Sequence, residues 1–191
     1  MENQYFAASA VFLINTVFGL YLFAVMLRLL LQWVRADFYN PISQFLVKVT
    51  NPPLRPLRRI IPGWGGVDLA SILLLLALQM LEIFLANMAL GRAMPLSGLF
   101  VTSVAELLNL LLNIFVIAIL VQVVMSWISP GTYNPATVLL HRLTEPVLAP
   151  ARRLIPPISG VDLSPLVVLV VFQLIKFLLI APLVDIGHRM T

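Results

Sequence analysis

Four long apolar segments, separated by loops rich in proline and arginine, dominate the pattern of this chain. The uncharged run from Phe6 to Leu27 has 22 residues, and so does the run from Leu107 to Ile128. About 20 apolar residues in a helix cross the hydrocarbon core of a bilayer, and a helix satisfies its own backbone polar groups there. We therefore predict an all-α membrane protein with four transmembrane helices, near residues 6–33, 67–90, 98–128 and 161–185.

The two long loops carry a second, shorter pattern. Apolar residues follow the i, i+3, i+4, i+7 spacing of an amphipathic helix at 42, 45, 46 and 49, and again at 136, 139, 140 and 143. An Asn-Pro pair precedes each and favours a turn. Prolines at 52, 53 and 56, and at 146 and 150, predict that each helix is interrupted and that a second short helix follows. We expect these segments, 40–62 and 134–156, to lie in the membrane interface.

Composition supports the membrane assignment. The chain is 61% hydrophobic and 10% charged, whereas soluble domains carry roughly 25% charged residues. Cysteine is absent, which excludes disulfides and thiolate metal sites. The high calculated pI, about 10.0, indicates a basic surface facing anionic lipid rather than nucleic acid, because the arginines are interleaved with proline and aliphatic residues beside the spans.

An internal repeat fixes the predicted architecture. Residues 33–79 recur at 127–173 without a gap, at a constant offset of 94, with nineteen identities over 47 positions. So many matches exceed what compositional bias gives, so we interpret the chain as a duplication. Repeat 1 comprises residues 1–95 and repeat 2 residues 96–191.

Basic residues set the expected orientation. Eight of the twelve lie in the two loops at 33–67 and 129–160, while Arg92 and Arg189 lie on the opposite side. Cytoplasmic loops carry an excess of Lys and Arg, so we expect both loops in the cytoplasm and both termini in the periplasm of a bacterial inner membrane. With two spans each, the repeats should run parallel about a pseudo-two-fold axis.

Two arginine pairs, Arg58-Arg59 and Arg152-Arg153, recur at the same distance from proline and isoleucine. One interpretation is a platform that binds anionic lipid or an acidic partner, each residue adding roughly 1 kcal/mol. The other is that the charges only set topology. Topology alone accounts for the charges, but it requires no fixed geometry, so the recurrence adds weight to the first interpretation.

Asp68 and Asp162 each follow Gly-Val at the start of a span. We predict that both are N-caps, accepting hydrogen bonds from the first free backbone amides. A contact with the paired arginines is compatible with that role, and a role in ion binding is the alternative.

Four charged residues fall inside the predicted spans: Arg28, Glu82, Glu106 and Lys176. Each costs about 2.5–3.5 kcal/mol at the bilayer centre and less near its ends. Arg28 is near enough to the cytoplasmic end of its span to snorkel, and Glu106 lies near the outer end of a long helix.

Glu82 and Lys176 occupy equivalent positions in the two repeats but carry opposite charges. Gln79 and Gln173 lie three residues earlier, on the same helix faces. If the second and fourth spans meet, Glu82 and Lys176 pair across the axis with the glutamines beside them; the competing partner for Lys176 is Glu106. The pair is then either a structural clasp between the repeats or a polar element of an ion path.

Catalytic and cofactor signals are missing from the sequence. It has no glycine-rich phosphate loop, no metal-ligand cluster and no nucleophile with a base at usable spacing. We expect no enzyme activity and no cofactor.

The duplicated loop motif resembles that of a known family. In both copies Asn-Pro is followed by Pro-x-Arg-Arg-x-Ile-Pro and then Gly-Val-Asp-Leu, between two spans. This pattern resembles the bacterial YggT family, also called YlmG-like, over nearly the whole chain. One departure separates the copies, because Gly63-Trp64-Gly65 is replaced by Pro157-Ile158-Ser159.

The resemblance implies functions but no reaction. Such proteins are associated with tolerance of osmotic or cation stress, with organisation of the division site or nucleoid, and with assembly of photosynthetic complexes. Our first hypothesis is a protein for osmotic or cation stress tolerance that passes ions at the repeat interface. The second is a scaffold whose basic loops bind anionic lipid or recruit a membrane-protein partner. Four helices surround a narrow path, so ion passage would favour a homo-oligomer.

Overall fold

A computed structural model describes residues 2–63, 68–128, 134–155 and 162–190, with side chains from Gln4 onward. Most of the segment that distinguishes the two loops in sequence, Trp64-Gly65 and Pro157 to Ser159, lies outside these residues. The described chain is helical and contains no strand. Its elements are α1 (Glu2–Trp33), α2 (Pro41–Ile60), α3 (Leu69–Ala89), α4 (Leu96–Ile128), α5 (Pro135–Leu154), α6 (Ser164–Ile175), a π-helical turn (Lys176–Ile180) and α7 (Ala181–Arg189).

Four of the helical stretches are long and apolar enough to cross a membrane. They are Gln4–Trp33, Leu69–Ala89, Leu96–Ile128 and Ser164–Arg189, the last formed by α6, the π turn and α7 together. Each agrees with a predicted span to within a few residues. The prediction of an all-α protein with four membrane helices is confirmed.

The prolines do not divide the loop helices, so the prediction of two short helices per loop is wrong. Helices α2 and α5 run unbroken for 20 residues each, through Pro52, Pro53 and Pro56 and through Pro146 and Pro150. A proline inside a helix frees the carbonyl four residues earlier. The Tyr21 hydroxyl donates to one such carbonyl, that of Val49, at 3.5 Å. Burial of Leu46 and Leu54 adds to the stability of α2.

The fourth span differs from the second in its backbone. In the π turn the N–H of Ala181 donates to the carbonyl of Lys176, five residues earlier. Pro182 follows, and its ring would clash with the carbonyl of Leu178 in a regular α-helix. Repeat 1 has Met88 at the equivalent position, and α3 is an uninterrupted α-helix.

Helix α4 lies at the centre of the bundle. It contacts α1, α3, α5 and the whole fourth span, while α3 packs against α1, α2 and α4. In the described part of the chain no contact joins α3 to α6, the π turn or α7. The condition for a pair between Glu82 and Lys176, that the second and fourth spans meet, is therefore not fulfilled, because α4 lies between them.

Small residues bring α4 and α7 together. A Cβ atom added to Gly187 would lie 2.2 Å from Thr102 Oγ1 and 3.0 Å from the Thr102 backbone nitrogen. One added to Gly98 would lie 2.9 Å from the Gly187 carbonyl oxygen. Small side chains at a helix crossing allow this approach of the backbones, which is a common way of packing helices in membranes.

The two loops are linked to each other. The side-chain oxygen of Asn40 accepts a hydrogen bond from Ile42 N at 3.0 Å and caps α2, while Asn40 Nδ2 donates to the Pro135 carbonyl at the start of α5, at 2.7 Å. The equivalent Asn134 caps α5 by exchanging hydrogen bonds with Thr137. One buried asparagine thus caps its own helix and holds the other loop.

Candidate functional site

A polar cavity of about 480 Å³ lies between α1, α3 and α4, towards the end of the bundle that carries the α3–α4 connection. We call this end the connection end, and the opposite one the loop end, because α2 and α5 lie there. The polar residues that line the cavity are Asn15, Gln79, Glu82, Asn87, Thr102, Glu106, Asn109, Asn113 and His188.

Helical spacing brings these side chains to one place. On α3, Gln79 and Glu82 are three residues apart, and on α4 Glu106, Asn109 and Asn113 follow at i, i+3 and i+7. Such residues share a helix face. Because α3 packs against α4, the two polar faces point into the same cavity.

The two carboxylates in the cavity are each held by an amide of their own helix. Gln79 Nε2 donates to Glu82 Oε2 at 2.8 Å, and Asn109 Nδ2 donates to Glu106 Oε2 at 3.3 Å. Glu82 and Glu106 are close enough to repel each other electrostatically. Within the described residues neither forms an ion pair with a basic side chain within 4.0 Å. The cavity is therefore a half-buried acidic site.

Lys176 does not pair with either carboxylate, so both pairings weighed from the sequence are absent. Its Nζ donates instead to Asn113 Oδ1 on α4. The reason is the central position of α4, which keeps the fourth span away from α3 and presents Asn113 to it. Gln173, one turn earlier, is exposed on the surface of the bundle and not among the cavity residues.

Exchanging the charges of Glu82 and Lys176 tests for a direct pair, and we expect the exchange not to restore the protein. Glu82→Lys places a cation beside Glu106, which can become its partner, and Lys176→Glu removes the donor to the Asn113 oxygen. We expect the double variant to be as impaired as the worse single one, because neither new charge gains the other as a partner. Thermal unfolding in detergent measures this. Recovery of wild-type stability by the double variant would contradict our expectation and support a direct pair between Glu82 and Lys176.

At the loop end, Asp68 joins α2 to α3. Its carboxylate accepts from the Arg58 guanidinium, from Ser71 Oγ at 2.6 Å and from Ser71 N at 3.3 Å, so it caps α3. Burial alone would raise the pKa of Asp68, but the hydrogen bonds from Arg58 and Ser71 and the charge of Arg58 outweigh it, and the pKa is lowered.

The equivalent group in the second half is more exposed and differently connected. Asp162 Oδ2 accepts from Arg152 Nε at 2.9 Å, and Arg152 Nη1 also donates to Glu145 at 2.8 Å. Asp162 is not the N-cap itself, since that position is Leu163, but its Oδ1 accepts from Ser164 N at 2.9 Å. Burial raises the pKa of Asp162, and the hydrogen bonds from Ser164 and Arg152 more than offset this, so the pKa is lowered.

Of the other three arginines predicted as site residues, two are exposed and one is buried. Arg59 and Arg153 are exposed in the last turns of α2 and α5. Arg28 does not snorkel as expected from the sequence: it is 7% exposed, and its Nη1 donates to Thr50 Oγ1 at 2.6 Å. It turns inward because α2 covers it and offers this hydroxyl.

Several cavity residues were not predicted from the sequence. Asn15 and Asn109 are 94 positions apart, so extending the repeat into the first span would have found them. Asn113 aligns with Gly19, and its role depends on the packing of α4 against the π turn, for which the sequence holds no signal.

Known proteins resemble this chain over nearly its whole length. A family model described as CCB3/YggT matches residues 7–89 and again residues 101–183, so the two matches begin 94 residues apart. An uncharacterized protein of Pseudomonas aeruginosa is 43% identical over 174 residues, which cover 90% of this chain and 88% of that protein. The protein YggT of Escherichia coli K12, also described as uncharacterized, is 40% identical over 168 residues, 86% of each chain. No solved structure gives a significant match.

Proposed function

The chain belongs to the CCB3/YggT family, and from that premise we propose that it is a non-enzymatic membrane protein that binds a cation in its polar cavity, in support of osmotic or cation stress tolerance. One observation carries the proposal. Glu82 and Glu106 face the same half-buried cavity and, within the described chain, have no basic ion-pair partner.

Electrostatics gives the cavity its preference for positive charge. Two carboxylates in a partly desolvated site repel each other, and a bound cation offsets both the repulsion and the lost hydration. Carboxylate and amide oxygens are the ligands that hard cations prefer. The described residues contain no cluster of three or more His, Cys, Asp or Glu able to hold a metal ion, so we expect the ion to keep part of its water shell.

Ion passage is the finer part of the proposal. Towards the loop end the packing is apolar, with Leu75 2% exposed, Leu112 8% and Phe115 4%. Such a constriction excludes water and blocks an ion until the helices move apart. We propose that the cavity is a vestibule, and that passage requires a shift of α4 against α1 and α3.

We further propose how the protein lies in the membrane. The 94-residue displacement of the two family matches supports a pair of two-span repeats that run parallel. The basic last turns of the amphipathic helices α2 and α5 support their position in the cytoplasmic interface of a bacterial inner membrane. The cavity then opens towards the periplasm.

Cation binding is testable with Glu82→Gln, which removes one charge from the cavity. A cation present at 100 times its dissociation constant stabilises the folded protein by about 2.7 kcal/mol. We expect added K⁺, Na⁺ or Mg²⁺ to raise the unfolding temperature of the wild type in detergent, and Glu82→Gln to lose most of that rise. Flux of the same ion into liposomes tests passage separately.

The matched control is Asp185→Asn. Asp185 is exposed on α7 at the connection end and is not among the cavity residues, so the substitution removes the same charge without altering the site. Its response to cations should equal that of the wild type. An equal response from Glu82→Gln would exclude the cavity as the site, and binding without flux would retain the site and exclude passage.

The second candidate function is a scaffold that uses the loop arginines. Arg59 and Arg153 are exposed at equivalent ends of α2 and α5, available to lipid headgroups or an acidic membrane protein. This function predicts that growth under osmotic stress requires Arg58, Arg59, Arg152 and Arg153 and tolerates Glu82→Gln. Cation passage predicts that growth under osmotic stress requires Glu82 and tolerates substitution of these arginines.

A further inference from the structure

A second cavity, of about 390 Å³, lies between α1 and α2 at the loop end. Three guanidinium groups, the amide of Gln32 and one hydroxyl line it, together with apolar side chains such as Leu46 and Phe38. We call it the arginine pocket and define it by Arg28, Arg35, Arg58 and Ser43.

Charge in the arginine pocket is poorly balanced. Arg58 binds Asp68, but in the described part of the chain no carboxylate lies within 4.0 Å of Arg28 or Arg35. The hydrogen bond from Arg28 Nη1 to Thr50 uses one of the five N–H donors of that guanidinium. The pocket therefore carries net positive charge and donors that can still bind an anion.

Arg35 is held in an uncommon backbone conformation. Its φ is +51°, in the left-handed region that usually takes glycine after a helix. The Ala36 N–H donates to the Leu31 carbonyl at 2.9 Å and closes the end of α1. A residue with a Cβ costs about 1–2 kcal/mol there, and backbone strain of this kind is concentrated at binding sites.

Ser43 supplies an independent sign of a missing ligand. The residue is 8% exposed and lines the pocket, and among the residues that the structure describes its Oγ has no hydrogen-bond partner. Buried hydroxyls are nearly always paired, so an unpaired one requires an explanation such as a bound molecule. An anion in the pocket would accept its hydrogen bond.

Repeat 2 lacks the same charge at the equivalent place. Gln122 stands at the position of Arg28. The contact with the loop helix persists with its direction reversed, since Thr144 donates to Gln122 whereas Thr50 accepts from Arg28. Arg58 corresponds to Arg152, which is neutralised by both Glu145 and Asp162. The position equivalent to Arg35 is Ser129, outside the described residues.

We propose that the arginine pocket binds the phosphate of an anionic lipid headgroup, and that the corresponding part of repeat 2 does not. Guanidinium groups bind phosphate through paired, charge-assisted hydrogen bonds, and basic pockets between membrane helices bind lipid headgroups. Arg28 lies five residues before the end of α1, about 8 Å along the helix, within reach of the headgroup layer. The exposed Phe38 borders the pocket where acyl chains would lie.

This inference does not depend on cation binding. It makes the scaffold function more specific, because it assigns lipid binding to one pocket rather than to the four arginines of the two loop helices. The experiment uses full-length protein in detergent, titrated with phosphatidylglycerol or phosphatidylcholine and examined by native mass spectrometry. We expect Arg28→Gln, which copies repeat 2, to weaken phosphatidylglycerol binding about tenfold, the equivalent of about 1.4 kcal/mol. Arg153→Gln removes the same charge from an exposed site and should change the affinity less than about twofold.

Arg28 is buried, so a loss of binding in Arg28→Gln has to be distinguished from misfolding, and a second variant does this. Arg35→Gly relieves the left-handed backbone, so it should raise the unfolding temperature while it weakens phosphatidylglycerol binding. Inorganic phosphate is the third probe. If the wild type binds inorganic phosphate but not phosphatidylglycerol, the pocket is a site for free phosphate and the lipid proposal is overturned. If Arg28→Gln and Arg153→Gln lose phosphatidylglycerol affinity equally, the pocket is not the binding site.

Discussion

Gly187→Ala should destabilise the protein by about 1–3 kcal/mol, the usual cost of overpacking a well-packed contact. The added methyl group would lie 2.2 Å from Thr102 Oγ1 and 3.0 Å from the Thr102 backbone nitrogen. Thr102 is 3% exposed and β-branched, so its side chain has little freedom to move away. α7 must therefore separate from α4, which we expect to see as a lower unfolding temperature in detergent.

Gly19→Ala is the matched control. Gly19 is also a helical glycine, but a Cβ added there would have no atom within 4 Å. We expect this variant to equal the wild type or to gain up to about 1 kcal/mol, because alanine favours a helix over glycine. Adding Thr102→Ala to Gly187→Ala removes the closer clash and leaves the backbone one, so the double variant should recover part of the loss. Equal stability of the two alanine variants would contradict the close packing of α4 and α7.

Asp68→Asn should have the second large effect, about 2–3 kcal/mol. The carboxylate is 6% exposed and joins Arg58 on α2 to Ser71 on α3, and hydrogen bonds to charged groups contribute about 1.5–3 kcal/mol each. Asp162→Asn should cost less than about 1 kcal/mol, because Asp162 is 35% exposed and Arg152 keeps Glu145 as a partner. Equal losses would show that the loop end is held together elsewhere.

The pH dependence of stability provides a further check on Asp68. Its pKa is lower in the folded protein, so its contribution is fully present above the unfolded value, about 3.9, and is lost as the pH falls through the lower folded value. Between pH 7 and pH 5 we expect wild type and Asp68→Asn to differ by a constant amount. Below about pH 4 the difference should shrink.

The sequence predicts the helices well because their signals are local. Uncharged runs such as Leu107 to Ile128 are long enough to span a bilayer whatever their neighbours. In α2 the expected interruption at the prolines does not occur, because the compensation comes from outside the helix. Pro53 leaves the Val49 carbonyl without its donor within the helix. The hydrogen bond that this carbonyl accepts instead comes from the Tyr21 hydroxyl, in another helix.

The candidate site was predictable in part. Glu82, Gln79 and Glu106 stand out as charged or amide residues within apolar runs, and the structure brings them to one cavity. The partner of Lys176 was not predictable. The repeat suggests a symmetrical meeting of the second and fourth spans, whereas the packing of α4 between them decides which side chains can touch.

Helix α4 is one continuous element of 33 residues, about 50 Å long. In its first half it carries Glu106 and Asn109 in the acidic cavity, and towards its last turns Gln122 accepts the hydrogen bond from Thr144 on α5. A tilt of α4 that widened the cavity would therefore also act on α5. Because α4 is continuous, a displacement at the connection end would reach the loop end through this one helix.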